Sequence, residues 1–272
     1  MTTPHDNHPD VRAIQMLRWS NGRAATSPDE LAIEEPLEIR VRGRAVSVTM
    51  RTPGHDDELA VGFLLSEGLI RSADDVSRVD PCVRAAEGNV INVFLAPHVQ
   101  VDFDRLTRHV FASSSCGVCG KASIDTVRLD FPAVPTDANF SADMIQRMPD
   151  TLREAQATFD RTGGLHAAAL FDSEGQLAVL REDVGRHNAV DKVLGWAIRQ
   201  QGLSLSRHAL MVSGRASFEI VQKALAAGLP LIAAVSAPSS LAVELAHDSG
   251  QTLIGFLRPG RMNIYSHADR VV

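Results

Sequence analysis

The amino-acid sequence predicts an α/β protein in two parts, a smaller α+β unit followed by a larger region of alternating strands and helices. Three observations carry that expectation. From His208 onward, apolar runs of strand length alternate with helical stretches: His208–Ser213, Ser217–Ala227, Leu231–Ser236, Ser240–His247 and Thr252–Leu257. Alternation of this kind calls for parallel strands joined by crossover helices. Nearer the start, Pro36–Val41 and Ala45–Met50 flank Arg42-Gly43-Arg44 with the period-two pattern of a β-hairpin. Finally, 272 residues with 44% apolar content are enough to bury a sizeable core.

Taken in order, residues 1–28 are polar and proline-punctuated and are expected to form a disordered tail. The small α+β unit covers residues 29–110. After its hairpin, Asp56, Asp57 and Glu58 place acids where a helix N-terminus favours them, and Gly68 ends that helix. Val76–Cys82 and Val90–Leu95 are its further strands. Residues 111–138 form a mobile loop and connection. The α/β region, 139–272, opens with a helical stretch from Ala142 to Asp160, interrupted or restarted at Pro149. Two strands follow, Gly163–Phe171 and Gln176–Arg181. A helix then begins near Asn188, with Val190, Val193, Leu194, Ala197 and Ile198 as its buried stripe.

The 27 basic and 33 acidic side chains give a formal net charge of -6, which argues against nucleic acid or acidic membranes as partners. No apolar run is long enough to span a membrane, and no basic-then-apolar leader opens the chain. With only three cysteines, the expected compartment is a reducing cytoplasm.

Two of those cysteines form Cys116-Gly-Val-Cys119, inside the run Phe111-Ala-Ser-Ser-Ser-Cys-Gly-Val-Cys-Gly-Lys121. Small residues surround them, so burial cannot hold the segment, and two thiols are expected on an exposed loop. The pair has three readings: a structural disulfide or an incidental pair, a zinc half-site that needs further ligands, or a redox or sulfur-carrying dithiol. Gly117, Gly120 and Lys121 favour the last, since backbone amides and a cation lower a thiol pKa. The third cysteine, Cys82, falls in a strand.

A second feature is shared by the turns after the late strands: Ser213-Gly-Arg-Ala-Ser217, Ser236-Ala-Pro-Ser-Ser240 and Arg258-Pro-Gly-Arg261. In open α/β sheets ligands bind at the carboxyl ends of strands, where helix N-termini present free amides. Arg215, Arg258 and Arg261 on one rim point to a phosphate-bearing ligand of nucleotide size. Neither common nucleotide-loop fingerprint is present. Glu182, Asp183, Arg186, His187 and Asn188 crowd a further strand-to-helix turn. His166-Ala-Ala168 lies where a nucleobase deaminase would carry His-x-Glu, but alanine replaces the proton-shuttling glutamate, so deaminase chemistry is excluded. No intrinsic metal is expected.

With the cysteine loop and these turns in view, the sequence resembles the formate dehydrogenase accessory sulfurtransferase family (FdhD/NarQ) from about Leu31 to His267. The motifs that carry the resemblance are Arg51-Thr-Pro-Gly-His-Asp56, Ser115–Gly120, Glu182–Lys192, Ser213-Gly-Arg215 and Gly255–Asn263. It implies a cytidine-deaminase-like three-layer α/β domain and a homodimer. It also implies a sulfurtransferase that accepts persulfide sulfur from a cysteine desulfurase. The acceptor would be the bis(molybdopterin guanine dinucleotide) molybdenum cofactor, bound as substrate and destined for formate dehydrogenase. Cys116 would carry the sulfur, with Cys119 beside it. Phe256, Leu257, Arg258, Pro259, Gly260 and Arg261 would contact the cofactor, joined by Ser213, Gly214, Arg215, Ser236 and His187, and GDP would bind as a fragment. The alternative is a cofactor-binding chaperone whose thiols are structural or redox-sensing.

Overall fold

The computed structural model describes residues 10–82, 88–101, 103, 131–134, 137–200 and 205–272. The described residues form a mixed α/β structure with three sheets. β1 (Val11–Ser20) and β2 (Arg23–Ala32) pair antiparallel over ten residues each. This hairpin corrects the expectation of a disordered tail up to residue 28. Asn21 and Gly22 both take positive φ, 51° and 76°, the geometry of a tight two-residue hairpin turn. The strands are mostly exposed, with Trp19 at 72%, which is why their composition resembles that of a tail.

The second sheet has the order β4-β3-β6-β5, from β3 (Glu35–Val41), β4 (Arg44–Arg51), β5 (Val76–Pro81) and β6 (Val90–Leu95). The expected hairpin is there, turning at Arg42 and Gly43 with φ of 51° and 81°. Helix α1 (Asp56–Ser66) begins with its three acids and ends before Gly68, whose φ is 71°.

The third sheet runs β12-β11-β10-β9-β7-β8. Its strands are β7 (His166–Phe171), β8 (Leu177–Asp183), β9 (Ala209–Val212), β10 (Leu231–Ala234), β11 (Thr252–Arg258) and β12 (Arg261–Ser266). The neighbours β9, β10 and β11 are parallel, as the alternation requires, whereas β7 and β12 run against their partners. The crossovers are α5 (Phe218–Ala226) and α6 (Ser240–Asp248), and the latter is capped by the Ser239 hydroxyl, which accepts from Ala242 N–H at 3.3 Å.

Two helical expectations shift. Helix α2 (Ala142–Ala155) passes through Pro149 and breaks at Gln156 instead. A new helix, α3 (Ala157–Thr162), starts there because the Glu182 carboxylate accepts the Thr158 and Phe159 N–H groups, each at 2.9 Å. Helix α4 (Arg186–Arg199) begins at Gly185, so Asn188 is an interior residue and not its cap.

Alternate residues of the large sheet serve two cores. Ala167, Ala169, Phe171, Met211 and Ile254 pack with Phe140, Ile145 and Met148 on the α2 side. Ala168, Leu170, Leu210 and Ile232 face α1, α4, α5 and α6, in a cluster that continues to Leu37, Ile39 and Val93 of the second sheet. The second and third sheets therefore meet through one continuous core. At its centre α1 and α4 are in backbone contact: a Cβ added at Gly62 would fall 1.8 Å from the Asp191 carbonyl oxygen, and one at Gly195 would fall 1.8 Å from that of Glu58. Among the described residues no helix is long and apolar enough to cross a membrane.

Candidate functional site

Because β9, β10 and β11 are parallel, their carboxyl ends reach one edge of the sheet, and the following turns are stitched together there. Ser213 N–H donates to the Ala167 carbonyl at 2.9 Å, and its hydroxyl accepts from Ala167 N–H at 2.9 Å. Ser236 N–H reaches the Gly214 carbonyl at 3.2 Å, and Phe256 N–H reaches the Ser236 carbonyl at 3.1 Å. Ser213, Gly214, Ser236 and Phe256 thus form one continuous rim, over which the exposed Arg215 and Arg258 stand.

The third turn differs from the expectation. Arg258-Pro-Gly-Arg261 leads into β12 and not into a helix, so it is a β-hairpin, with Gly260 at φ 77° and Arg258 paired directly with Arg261. The pairing puts both arginines side by side. The Arg258 guanidinium donates to the Val235 and Leu257 carbonyls, which fixes one of the two cations. Phe256 is 44% exposed at a break in the β11–β12 register and holds φ at 52°, unusual for an aromatic residue. Leu257, expected at the ligand, is fully buried in the core beneath; Pro259, Gly260 and Arg261 are exposed.

The polar block after β8 divides in two. One half is structural. Asp183 and Lys192 are buried as a pair at 2.7 Å. Asp183 also accepts from Thr52 N–H at 3.2 Å, Gly185 N–H at 2.8 Å and the Asn188 amide at 3.0 Å, while Lys192 donates to the Thr52 carbonyl at 2.8 Å. These bonds lock the β8–α4 turn onto Thr52, next to Arg51, whose guanidinium is held by Asp56 at 2.9 Å and Asn89 at 2.9 Å. Asp191 belongs to the same framework, 2.8 Å from Lys223 and 2.6 Å from the Ser66 hydroxyl; burial nonetheless raises its pKa.

The other half faces the rim. The His187 ring nitrogen Nε2 stands 2.7 Å from a Glu219 carboxylate oxygen, without the alignment of a hydrogen bond, and both side chains are largely enclosed at 14% and 13% exposure. His166, half-buried, lies across the Gly214 turn, where a Cβ on Gly214 would meet its Nδ1 at 3.5 Å. Burial, together with the Arg186 and His187 charges, lowers the His166 pKa, and Asp183 opposes the shift. Sequence reasoning named His187 but missed Glu219. In the first turn of a helix a glutamate looks like an ordinary dipole partner, and nothing local reveals its contact with another helix.

Outside the rim, Glu58 forms a second ion-paired site. Burial would raise its carboxyl, but Arg181, at 2.6 and 2.7 Å, and His55 outweigh that and hold it at about 2. Its folded value thus lies below the ordinary 4.5. The stabilisation is complete above that value and is lost as pH falls toward 2. It amounts to about 3 kcal/mol. In urea melts, Glu58→Gln should therefore show a flatter stability-against-pH curve over this acid window. Parallel curves would remove Glu58 from the acid response.

Cys116 and Cys119 lie outside the described residues. Cys82 is a free, half-buried thiol just past β5, its N–H donating to the Val90 carbonyl at 2.8 Å. Among the described residues no three His, Cys, Asp or Glu side chains are grouped to hold a metal ion.

Comparison with known proteins gives a consistent answer. The FdhD/NarQ family model matches residues 32–272. A protein named sulfur carrier protein FdhD from Mycolicibacterium paratuberculosis is 55% identical over 257 residues, covering 92% of this chain and 94% of that one. One of the same name from Streptomyces coelicolor is 51% identical over 265 residues, with 94% of each chain covered. Among solved structures, one from Desulfotalea psychrophila, assigned as a formate dehydrogenase accessory protein, superposes with a TM-score of 0.79. It is 26% identical and covers 97% of this chain and 100% of its own. The chain, matched along nearly all its length in sequence and in fold, belongs to the FdhD/NarQ family.

Proposed function

We propose that this protein is a sulfurtransferase. It accepts persulfide sulfur from a cysteine desulfurase and passes it to the bis(molybdopterin guanine dinucleotide) molybdenum cofactor needed by formate dehydrogenase. The observation that carries the reading is the set of relatives named sulfur carrier protein, at 51–55% identity over more than nine-tenths of the chain. The arginine-bearing rim supports the cofactor half of it. The strand order supports the cytidine-deaminase-like description, since β7 alone opposes β8, β9, β10 and β11 within that five-strand set. On this reading the protein works in the cytoplasm as a homodimer.

The chemistry balances with the residues of the Cys116–Cys119 pair. The Cys116 thiolate attacks the outer sulfur of the desulfurase persulfide, forming a new S–S bond while the desulfurase cysteine leaves as thiolate. Attack by the Cys119 thiolate on the inner sulfur then releases hydrosulfide to the cofactor and leaves a Cys116–Cys119 disulfide. A cellular dithiol reduces that disulfide and resets the carrier. Intact-mass measurement after incubation with a cysteine desulfurase and cysteine tests the first step. One added sulfur atom on the chain is expected, and an unchanged mass would sink the carrier reading.

At the rim, Arg258 and Arg261 hold phosphates of the guanine dinucleotide. A hydrogen bond to a charged group contributes about 1.5–3 kcal/mol, so Arg261→Ala should weaken GDP binding by about ten- to a hundredfold. Titration calorimetry giving equal affinities for parent and variant would take Arg261 out of the site.

A further inference from the structure

The β1–β2 hairpin is fastened to the body only at its base. There Arg161 of α3 donates to both Glu30 carboxylate oxygens at 2.9 Å, the Thr158 hydroxyl bonds Asp10, and Val11 is buried. Ten residues per strand, at about 3.4 Å each, make an arm about 34 Å long. Beyond the base, no side chain from Ile14 to Pro28 forms a hydrogen bond or ion pair among the described residues. The face that buries Val11 continues outward by alternation to Leu17 and Trp19, with Thr26 and Ala24 opposite them. Leu17 is 68% exposed and Trp19 72%. A two-stranded ribbon is marginally stable in water by itself, and this one has no third strand among the described residues. Two large apolar side chains at such a tip mark a contact surface.

The same chain carries an uncovered apolar face. In the second sheet Leu37 and Ile39 point to the core, so the intervening pairs Pro36–Met50 and Glu38–Val48 point outward. Val48 and Met50 are both exposed there, and Val90 lies beside Glu38 on the next strand. Charge favours this face over a second tip. From Ile14 to Pro28 the arm holds Arg18 and Arg23 and no acid, whereas the whole chain has a net charge of -6. A tip is therefore drawn to the body of another copy and repelled by another tip.

Resting on the homodimer reading given above, we propose that two protomers exchange arms. Leu17 and Trp19 of each tip lie across the Val48–Met50 face of the other copy's second sheet. Arm and face belong to one chain, so the contact is reciprocal, closes about a twofold axis and leaves neither surface open to further copies. A buried tryptophan removes about 150–250 Å² from water, so one tip covers about 400 Å². Two tips and the two faces beneath them bury about 1,600 Å², the size of a stable interface.

Sedimentation of the full chain across a concentration series tests the exchange. Trp19→Ser should weaken the dimer at least about a hundredfold, since a central tryptophan is a typical interface anchor. Val48→Asp should do the same, with Val48→Ser as the milder replacement should the aspartate fail to fold, and circular dichroism should match the parent in each. The decisive sample is a mixture of the arm variant and the face variant. The intact arm of one then meets the intact face of the other, so the mixed dimer should form more tightly than either variant dimer alone. A mixture that gains nothing would overturn the exchange. So would a Trp19→Ser dimer of unaltered affinity, which leaves the homodimer reading standing. A still-dimeric Trp19→Ser protein that no longer gains sulfur from the desulfurase would assign the arm to that partner and overturn it too. A parent that stays monomeric at every concentration would instead defeat the homodimer reading, and the arm exchange with it.

Discussion

Cys116→Ser is expected to bind GDP as the parent does and yet deliver no sulfur, so that formate dehydrogenase activation falls to background. Serine preserves the size and polarity of the side chain. It cannot form the S–S bond on which the transfer depends, and no pKa adjustment of a hydroxyl compensates for that. Cys82→Ser serves as the internal control. Cys82 is half-buried and its backbone is engaged with Val90, so its loss should affect stability at most. Cys119→Ser should still gain sulfur from the desulfurase but stall at the persulfide, because the second thiol that would free hydrosulfide is gone. Mass spectrometry of the three variants separates these outcomes. If Cys116→Ser still acquires sulfur and still activates the dehydrogenase, the carrier is another residue. A variant that binds cofactor but does not activate the enzyme would also set transfer apart from simple chaperoning.

How much of this was legible in the sequence depended on whether the deciding contacts were local. Alternating strand and helix runs after His208 gave β9, α5, β10, α6 and β11 with small shifts at the ends, because each run has its own periodicity. The β1–β2 hairpin was hidden by its exposure, since a strand with both faces in solvent lacks the apolar alternation that marks burial. Its signal was Asn21-Gly22, a pair that favours a two-residue turn. β12 is not among the expected strands although Met262 and Ile264 alternate with polar neighbours, because Arg258-Pro-Gly-Arg261 reads as one more strand-to-helix turn. At the site, the edge location of the turns followed from parallel topology alone. The division of Glu182–Lys192 into a framework half and a rim half did not. Thr52, which decides it, is 131 residues from Asp183 along the chain.

That framework carries the second large expected effect. Lys192→Met should destabilise the protein by about 3–5 kcal/mol, the usual result of stripping a buried charge of its partner. The cost arises on three sides. Asp183 is fully buried and keeps only the Thr52, Gly185 and Asn188 donors, the Thr52 carbonyl loses the Lys192 ammonium, and the β8–α4 turn loosens from the segment after β4. Methionine is close to lysine in length, so lost packing is a small part of the change. The double variant Asp183→Asn with Lys192→Met distinguishes charge from shape. With neither charge buried, a good part of the lost stability should return, since a buried ion pair is costly to break yet often contributes little over a neutral replacement. Chemical denaturation of the two single variants and the double gives the coupling energy directly. Strict additivity of the two single losses would show that Asp183 and Lys192 act separately, and that the lock on Thr52 rests on the uncharged hydrogen bonds alone.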